Sequence, residues 1–161
     1  MLTLSQSALW IPASPAVRAI AKQQEARAYA ALGDATACDQ RFNEAEELAH
    51  QAFEHPEQAP AWLYFYEPDF FTLQRGLVQY LLQRHDQAVA LLTLGLDRVT
   101  PEVRRSEWIG RYLCKLAAAH AAIGNTATAA DLVHEIRDIA TATSAAQLLH
   151  DAERLARQLG L

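Results

Sequence analysis

Ala26-Arg-Ala-Tyr29-Ala-Ala-Leu-Gly33, followed by Cys38, Phe42 and Ala45, recurs later in the chain as Ala117-Ala-Ala-His120-Ala-Ala-Ile-Gly124, followed by Ala129, Val133 and Ile136. In both copies a small residue lies seven positions before a glycine and another lies five positions after it. Apolar residues follow nine and twelve positions beyond the same glycine. A helical hairpin needs this order of residues: small side chains let two helices approach, the glycine ends the first, and larger apolar side chains fill the space towards the next hairpin. A third copy lies between them, with Gly76 and Ala88 at the two small positions, then Leu92 and Gly95. The recurrence predicts three consecutive hairpins, stacked as a solenoid.

The spacing resembles the tetratricopeptide (TPR) pattern, whose six positions Ala26, Tyr29, Gly33, Cys38, Phe42 and Ala45 fill in order. Copies two and three depart from it: Gln79 and His120 replace the tyrosine, Gln83 replaces a turn glycine, and Gly95 and Ile136 replace the last alanine. The intervals, 50 residues from Ala45 to Gly95 and 41 from Gly95 to Ile136, exceed the roughly 34 of a regular TPR. Longer helices and one insertion account for the excess. A narrower likeness runs through Trp62-Leu-Tyr-Phe-Tyr-Glu-Pro-Asp-Phe-Phe71, Arg75-Gly76, Thr100-Pro101-Glu-Val-Arg104-Arg105 and Leu116 to Gly124. These segments are similar to the C-terminal TPR half of actinobacterial Xre-type transcriptional regulators, which join a helix-turn-helix domain to a TPR-like tail thought to receive a signal. The fold this implies is all-α: a TPR-like right-handed solenoid of about three hairpins plus a C-terminal capping helix, as one domain over residues 1–161.

Composition points the same way. Alanine makes up about a fifth of the 161 residues and 51% are apolar, as closely packed helices require. A net charge of −5 argues against direct nucleic-acid contact, which needs a basic face; DNA contact would belong to another domain. Cys38 and Cys114 stand far apart and each falls at a packing position, so a reduced, cytoplasmic setting is expected. No basic start with a sustained apolar run opens the chain, and neither a signal peptide nor a membrane span is expected. Leu2, Leu4, Ala8 and Leu9 form a short stripe before Pro12 and Pro15, read either as a helix of an earlier repeat or as a disordered N-terminus.

Start and stop signals place the elements. Helices are predicted from Pro15 to Leu32 and, after an Asp34 cap, to Phe53; from Pro68 to Leu82; and from His85 or Asp86 to Val99. The cap Thr100, Pro101 and Glu102 predict one long helix reaching Ile123, and Asn125 or Thr126 opens another to Thr141. Ser144-Ala-Ala-Gln147 matches a capping box before a last helix, whose Asp151, Glu153, Arg154 and Arg157 read as the solvent face of an end cap. Between the first two hairpins, prolines and an aromatic cluster at Trp62, Tyr64, Phe65 and Tyr66 mark the insertion, expected to pack in the gap or bind something.

Catalytic patterns are lacking. His134-Glu135 has Asp138 where a second zinc-binding histidine would stand, and no phosphate loop or nucleophile elbow occurs. No enzyme activity, metal or cofactor is expected, and His120 is expected to pack at the aromatic TPR position. In TPR proteins the first helix of each hairpin supplies ligand contacts along the inner curve. The resemblance therefore implies a binding face of Gln23, Arg27, Phe70, Leu73, Leu77, Tyr80, Arg111 and Cys114, with Tyr64 and Tyr66 as additional candidates. Arg104 and Arg105 are expected at the surface. A mostly apolar floor flanked by arginines suits a peptide or protein partner, with a small-molecule receptor as the alternative and homodimerisation as a third reading.

Overall fold

The computed structural model describes residues 14–55, 57, 60 and 68–161, and among these residues the chain forms eight α-helices and no strand. The fold class is all-α. The N-terminal stripe and the aromatic insertion, with Trp62, Tyr64, Phe65 and Tyr66, lie outside the described residues. Helices α1 (Pro15–Leu32) and α2 (Ala35–Glu54) form a first hairpin, and α3 (Pro68–Leu81) and α4 (His85–Leu96) a second. A single turn, α5 (Pro101–Arg104), leads into α6 (Glu107–Ala122), which pairs with α7 (Thr126–Ala142); α8 (Ala146–Leu159) closes the chain against both. The hairpins follow one plan: α1 touches α3, α3 touches α6 and α6 touches α8, while each second helix also meets the first helix of the next pair.

One turn geometry recurs. Each of the three hairpins ends its first helix on a left-handed residue, at Gly33 (φ 78°), Gln83 (φ 58°) and Gly124 (φ 83°), and α7 ends the same way at Ser144 (φ 55°). The paired hydrogen bonds repeat as well. Gly33 N–H donates to Ala30 and Asp34 N–H to Tyr29; Gln83 donates to Tyr80 and Arg84 to Gln79; Gly124 donates to Ala121 and Asn125 to His120; Ser144 donates to Thr141 and Ala145 to Ala140. These bonds satisfy the last carbonyls of each helix. Asp34 caps α2 by accepting from the Ala37 N–H at 3.0 Å.

Two predicted boundaries are corrected. Ser144 is not a helix cap: its left-handed backbone makes it the turn residue, and Ala145 takes the N-cap position of α8 without a side-chain capping bond. The long helix predicted from Pro101 to Ile123 is broken at Arg105 and Ser106. Thr100 caps the first turn through the Val103 N–H at 3.3 Å, but Ser106 is extended and returns its hydroxyl to the Val103 carbonyl at 2.6 Å. Arg104, expected at the surface, is only partly exposed because it forms a two-pronged ion pair with Glu135 of α7.

Left-handed geometry is costly for residues with a Cβ. Gln83→Gly and Ser144→Gly are each expected to raise stability by about 0.5–1 kcal/mol, a melting rise of roughly 1–4 °C for a chain of this size. A fall in either melting temperature would contradict the turn assignment at that position.

The repeated positions form the core. Ala26, Cys38 and Ala45 are fully buried, as are Ala88, Leu92, Ala117, Ala129, Val133 and Ile136. One apolar cluster joins α1, α2 and α3 around Phe42, which meets Phe71 edge-on at 6.5 Å; a larger one joins α3, α4, α6, α7 and α8. Glycines allow the closest contacts. Leu92 of α4 sits over Gly76 of α3 and Leu73 of α3 sits over Gly95 of α4, so the two helices interlock reciprocally. Gly110 of α6 receives Leu148 of α8 in the same manner. Ion pairs then tie successive elements at the rim: Arg75 to Glu46, Arg84 to Asp39 and Arg137 to Glu153. Being partly exposed, these pairs are screened by solvent and add little to stability.

Candidate functional site

The first helices of the three hairpins, together with α8, line one groove of about 640 Å³. Helical spacing explains the lining. Positions three, four and seven apart share a face, and α3 presents Phe70, Leu77 and Tyr80 there. From α6 come Trp108, Arg111, Tyr112, Cys114, Lys115 and Ala118. Arg27 is the contribution of α1, and α8 adds Asp151, Arg154, Leu155 and Gln158.

Of the eight carried-over residues, the structure brings Arg27, Phe70, Leu77, Tyr80, Arg111 and Cys114 together in this groove. Gln23 and Leu73 do not reach it. Each is 1% exposed: Leu73 is drawn into the hole left by Gly95, and the Gln23 amide donates to Gln74 Oε1 at 2.6 Å. Tyr64 and Tyr66 lie outside the described residues. Arg154 and Asp151, expected on a solvent-facing cap, instead belong to the groove wall, because the inner side of α8 is turned towards α6. Trp108, Tyr112 and Lys115 were not among the expected contacts. Their signal was present in the sequence as a stripe at intervals of four and three on α6.

Charge is concentrated unevenly. Four cations and one carboxylate line the groove, in a chain whose net charge is −5. Arg111 leans on Glu107 at 3.1 Å and Arg154 on Asp151 at 3.0 Å, both within their own helices. Lys115 stands over the Tyr80 ring, 5.3 Å from its centroid, a cation–π contact that leaves its ammonium without a carboxylate partner among the described residues. Arg27 is exposed and has no hydrogen-bond or ion-pair partner among them.

Beneath the groove runs a ladder of polar side chains across three helices. Gln24 donates to Gln23 Oε1 at 3.0 Å, Gln23 donates to Gln74 Oε1 at 2.6 Å, and Gln74 donates to the Tyr112 hydroxyl at 2.5 Å. Gln23 and Gln74 are almost wholly buried, so every missing bond would leave an unsatisfied group in a low-dielectric interior. The ladder thereby fixes the register of α1, α3 and α6. Tyr112 ends it with its ring edge-on to Trp108, centroids 6.1 Å apart, and Trp108 itself remains 45% exposed.

Burial pushes the Tyr112 phenol up to about 12, with the nearby Arg27 charge working the other way. It therefore stays protonated, a hydrogen-bond donor at all physiological pH values. Burial likewise pushes the Cys114 thiol up to about 11, which keeps it protonated and works against a nucleophilic role. His120, half-buried at the end of α6, has its pKa lowered by burial and contacts Asn125 at 3.4 Å. No cluster of three metal-ligating side chains occurs among the described residues. No described helix is long and apolar enough to cross a membrane.

No protein-family model, curated protein or solved structure matches the chain.

Proposed function

We propose that this chain is a non-catalytic, TPR-like solenoid that receives a peptide or protein partner in the groove formed by its first helices. The observation that carries the proposal is the gathering of Arg27, Arg111, Lys115 and Arg154 beside Phe70, Tyr80, Trp108 and Tyr112, in a protein that is acidic elsewhere. A half-exposed tryptophan with cations around it offers the large, stiff contact area and the charge complementarity of recognition surfaces. Repetition of the left-handed turn and of the small-residue contacts supports the solenoid reading. On its resemblance to regulator tails, the module serves as the signal-receiving part of a transcriptional system, and DNA contact is left to a separate domain.

A second reading, a receptor for a signalling metabolite, is favoured by the groove's volume, which lies in the range typical of small-ligand sites. Parallel thermal-shift screens of short peptides and of metabolites separate the two. A ligand at a hundred times its dissociation constant adds about 2.7 kcal/mol of stability. Shifts by peptides are expected. Shifts by metabolites alone would replace the peptide reading with the receptor one.

A further inference from the structure

We infer that Arg27 and the Tyr112 hydroxyl form the anion-reading point of the groove, taking a side-chain carboxylate of an acidic peptide whose neighbouring apolar side chain packs on Trp108. This rests on the peptide-binding reading and specifies the partner's chemistry. Two donors that line this groove have no acceptor among the described residues. The Tyr112 oxygen accepts from Gln74, yet its own hydrogen has no acceptor among the described residues. Arg27 likewise has no acceptor there, although its charge acts on the phenol.

The ladder explains why the phenol would read a ligand rather than drift. With one lone pair occupied by the buried Gln74 amide, rotation of the O–H is restricted to the directions left over. A hydroxyl held from behind and a guanidinium lining the same groove suit a two-oxygen anion: one carboxylate oxygen accepts from the phenol and the other from Arg27. Glutamine or asparagine in the ligand would put an NH2 group against one of these donors. Discrimination between acid and amide is thus built into the site. Trp108, one turn before Tyr112 and edge-on to it, supplies the adjoining apolar surface. Gln74 acts as a positioning residue, touching the phenol but not the ligand.

The probes are terminally blocked seven-residue peptides that combine two glutamates or aspartates with leucine or phenylalanine, each paired with its glutamine or asparagine counterpart. Binding is read by fluorescence anisotropy, and melting is recorded for every variant. Acidic peptides are expected to bind at least tenfold more tightly than their amide partners. Arg27→Ala and Tyr112→Phe should each weaken acidic-peptide binding about tenfold and abolish most of the acid-over-amide preference, whereas exposed Arg18→Ala should not. Tyr112→Phe also deprives Gln74 of its acceptor, so Gln74→Met is measured beside it: it keeps the phenol but frees it, and should reduce the preference without removing it.

If Trp108→Ala abolishes binding but Arg27→Ala and Tyr112→Phe leave affinity and preference unchanged, the anion-reading point is overturned and the groove reading stands. Equal binding of acidic and amide peptides overturns it in the same way. If neither series binds, both readings fall.

Discussion

Gly76→Val should destabilise the protein by at least about 2 kcal/mol, lowering its melting temperature by roughly 4–8 °C, even though valine is the better helix former. A Cβ at this position would lie 2.7 Å from Leu92 Cγ, 2.9 Å from its Cδ2 and 3.0 Å from the Leu92 backbone nitrogen. Side-chain rotation could relieve the first two contacts, but only a shift of α4 relieves the third. Leu92 has no room to rotate into, being fully buried in the larger core cluster.

A double-mutant cycle tests this cause. Leu92→Ala alone should cost about 2–5 kcal/mol through the cavity it leaves. In that background valine at position 76 occupies part of the void, so the pair should cost less than the two single changes together, by about 0.5–3 kcal/mol. Additive costs in urea melts would mean that Gly76 and Leu92 do not interlock, and the α3–α4 packing would have to be reconsidered.

The same pair of residues shows why much of the fold was legible. Gly76, Ala88, Leu92 and Gly95 read as one degenerate repeat; in the structure Gly76, Leu92 and Gly95 lie where α3 and α4 touch, and Ala88 is fully buried. Spacing survives even where residue types do not, because it is set by the geometry of helix contact. Turn chemistry was less legible. Gln83 and Ser144 adopt the left-handed geometry that glycine takes at 33 and 124, and nothing in a glutamine or serine announces it. The hydrogen-bond pair that closes each helix imposes the conformation whichever residue stands there. The Ser144 capping-box reading failed for this reason, since the local pattern was present but the turn had already claimed the residue.

The groove was half legible. Phe70, Leu77, Tyr80, Arg111 and Cys114, implied by the TPR resemblance, do line the groove, whereas the depth to which a side chain sinks depends on its neighbours' volumes. Leu73 and Gln23 vanish into the interior because Gly95 leaves a hole and Gln74 offers an acceptor. The contribution of α8 could not be read from its charges. A charged stripe on a terminal helix looks the same whether it faces bulk solvent or bounds a groove, and only the contact with α6 decides.

That distinction yields the second large effect. Arg154 and Arg157 are three residues apart on α8, yet only Arg154 lines the groove. Reversing the two opposing walls together, Arg111→Glu with Arg154→Glu, turns a lining of four cations and one carboxylate into one of two cations and three carboxylates. Arg18→Glu with Arg157→Glu, both off the groove, lowers the net charge from −5 by the same four units and serves as the control. Exposed charges contribute little to stability, so neither pair should move the melting temperature by more than a few degrees. Acidic-peptide affinity should fall a hundredfold or more for the wall pair, since two attractive contacts become repulsive ones at short range. The control pair should weaken binding several-fold at low salt, and that loss should disappear at 0.15 M salt, where charges beyond about 8 Å are screened. A control pair as damaging as the wall pair at that ionic strength would show that binding follows net charge alone, and would remove the groove from the account.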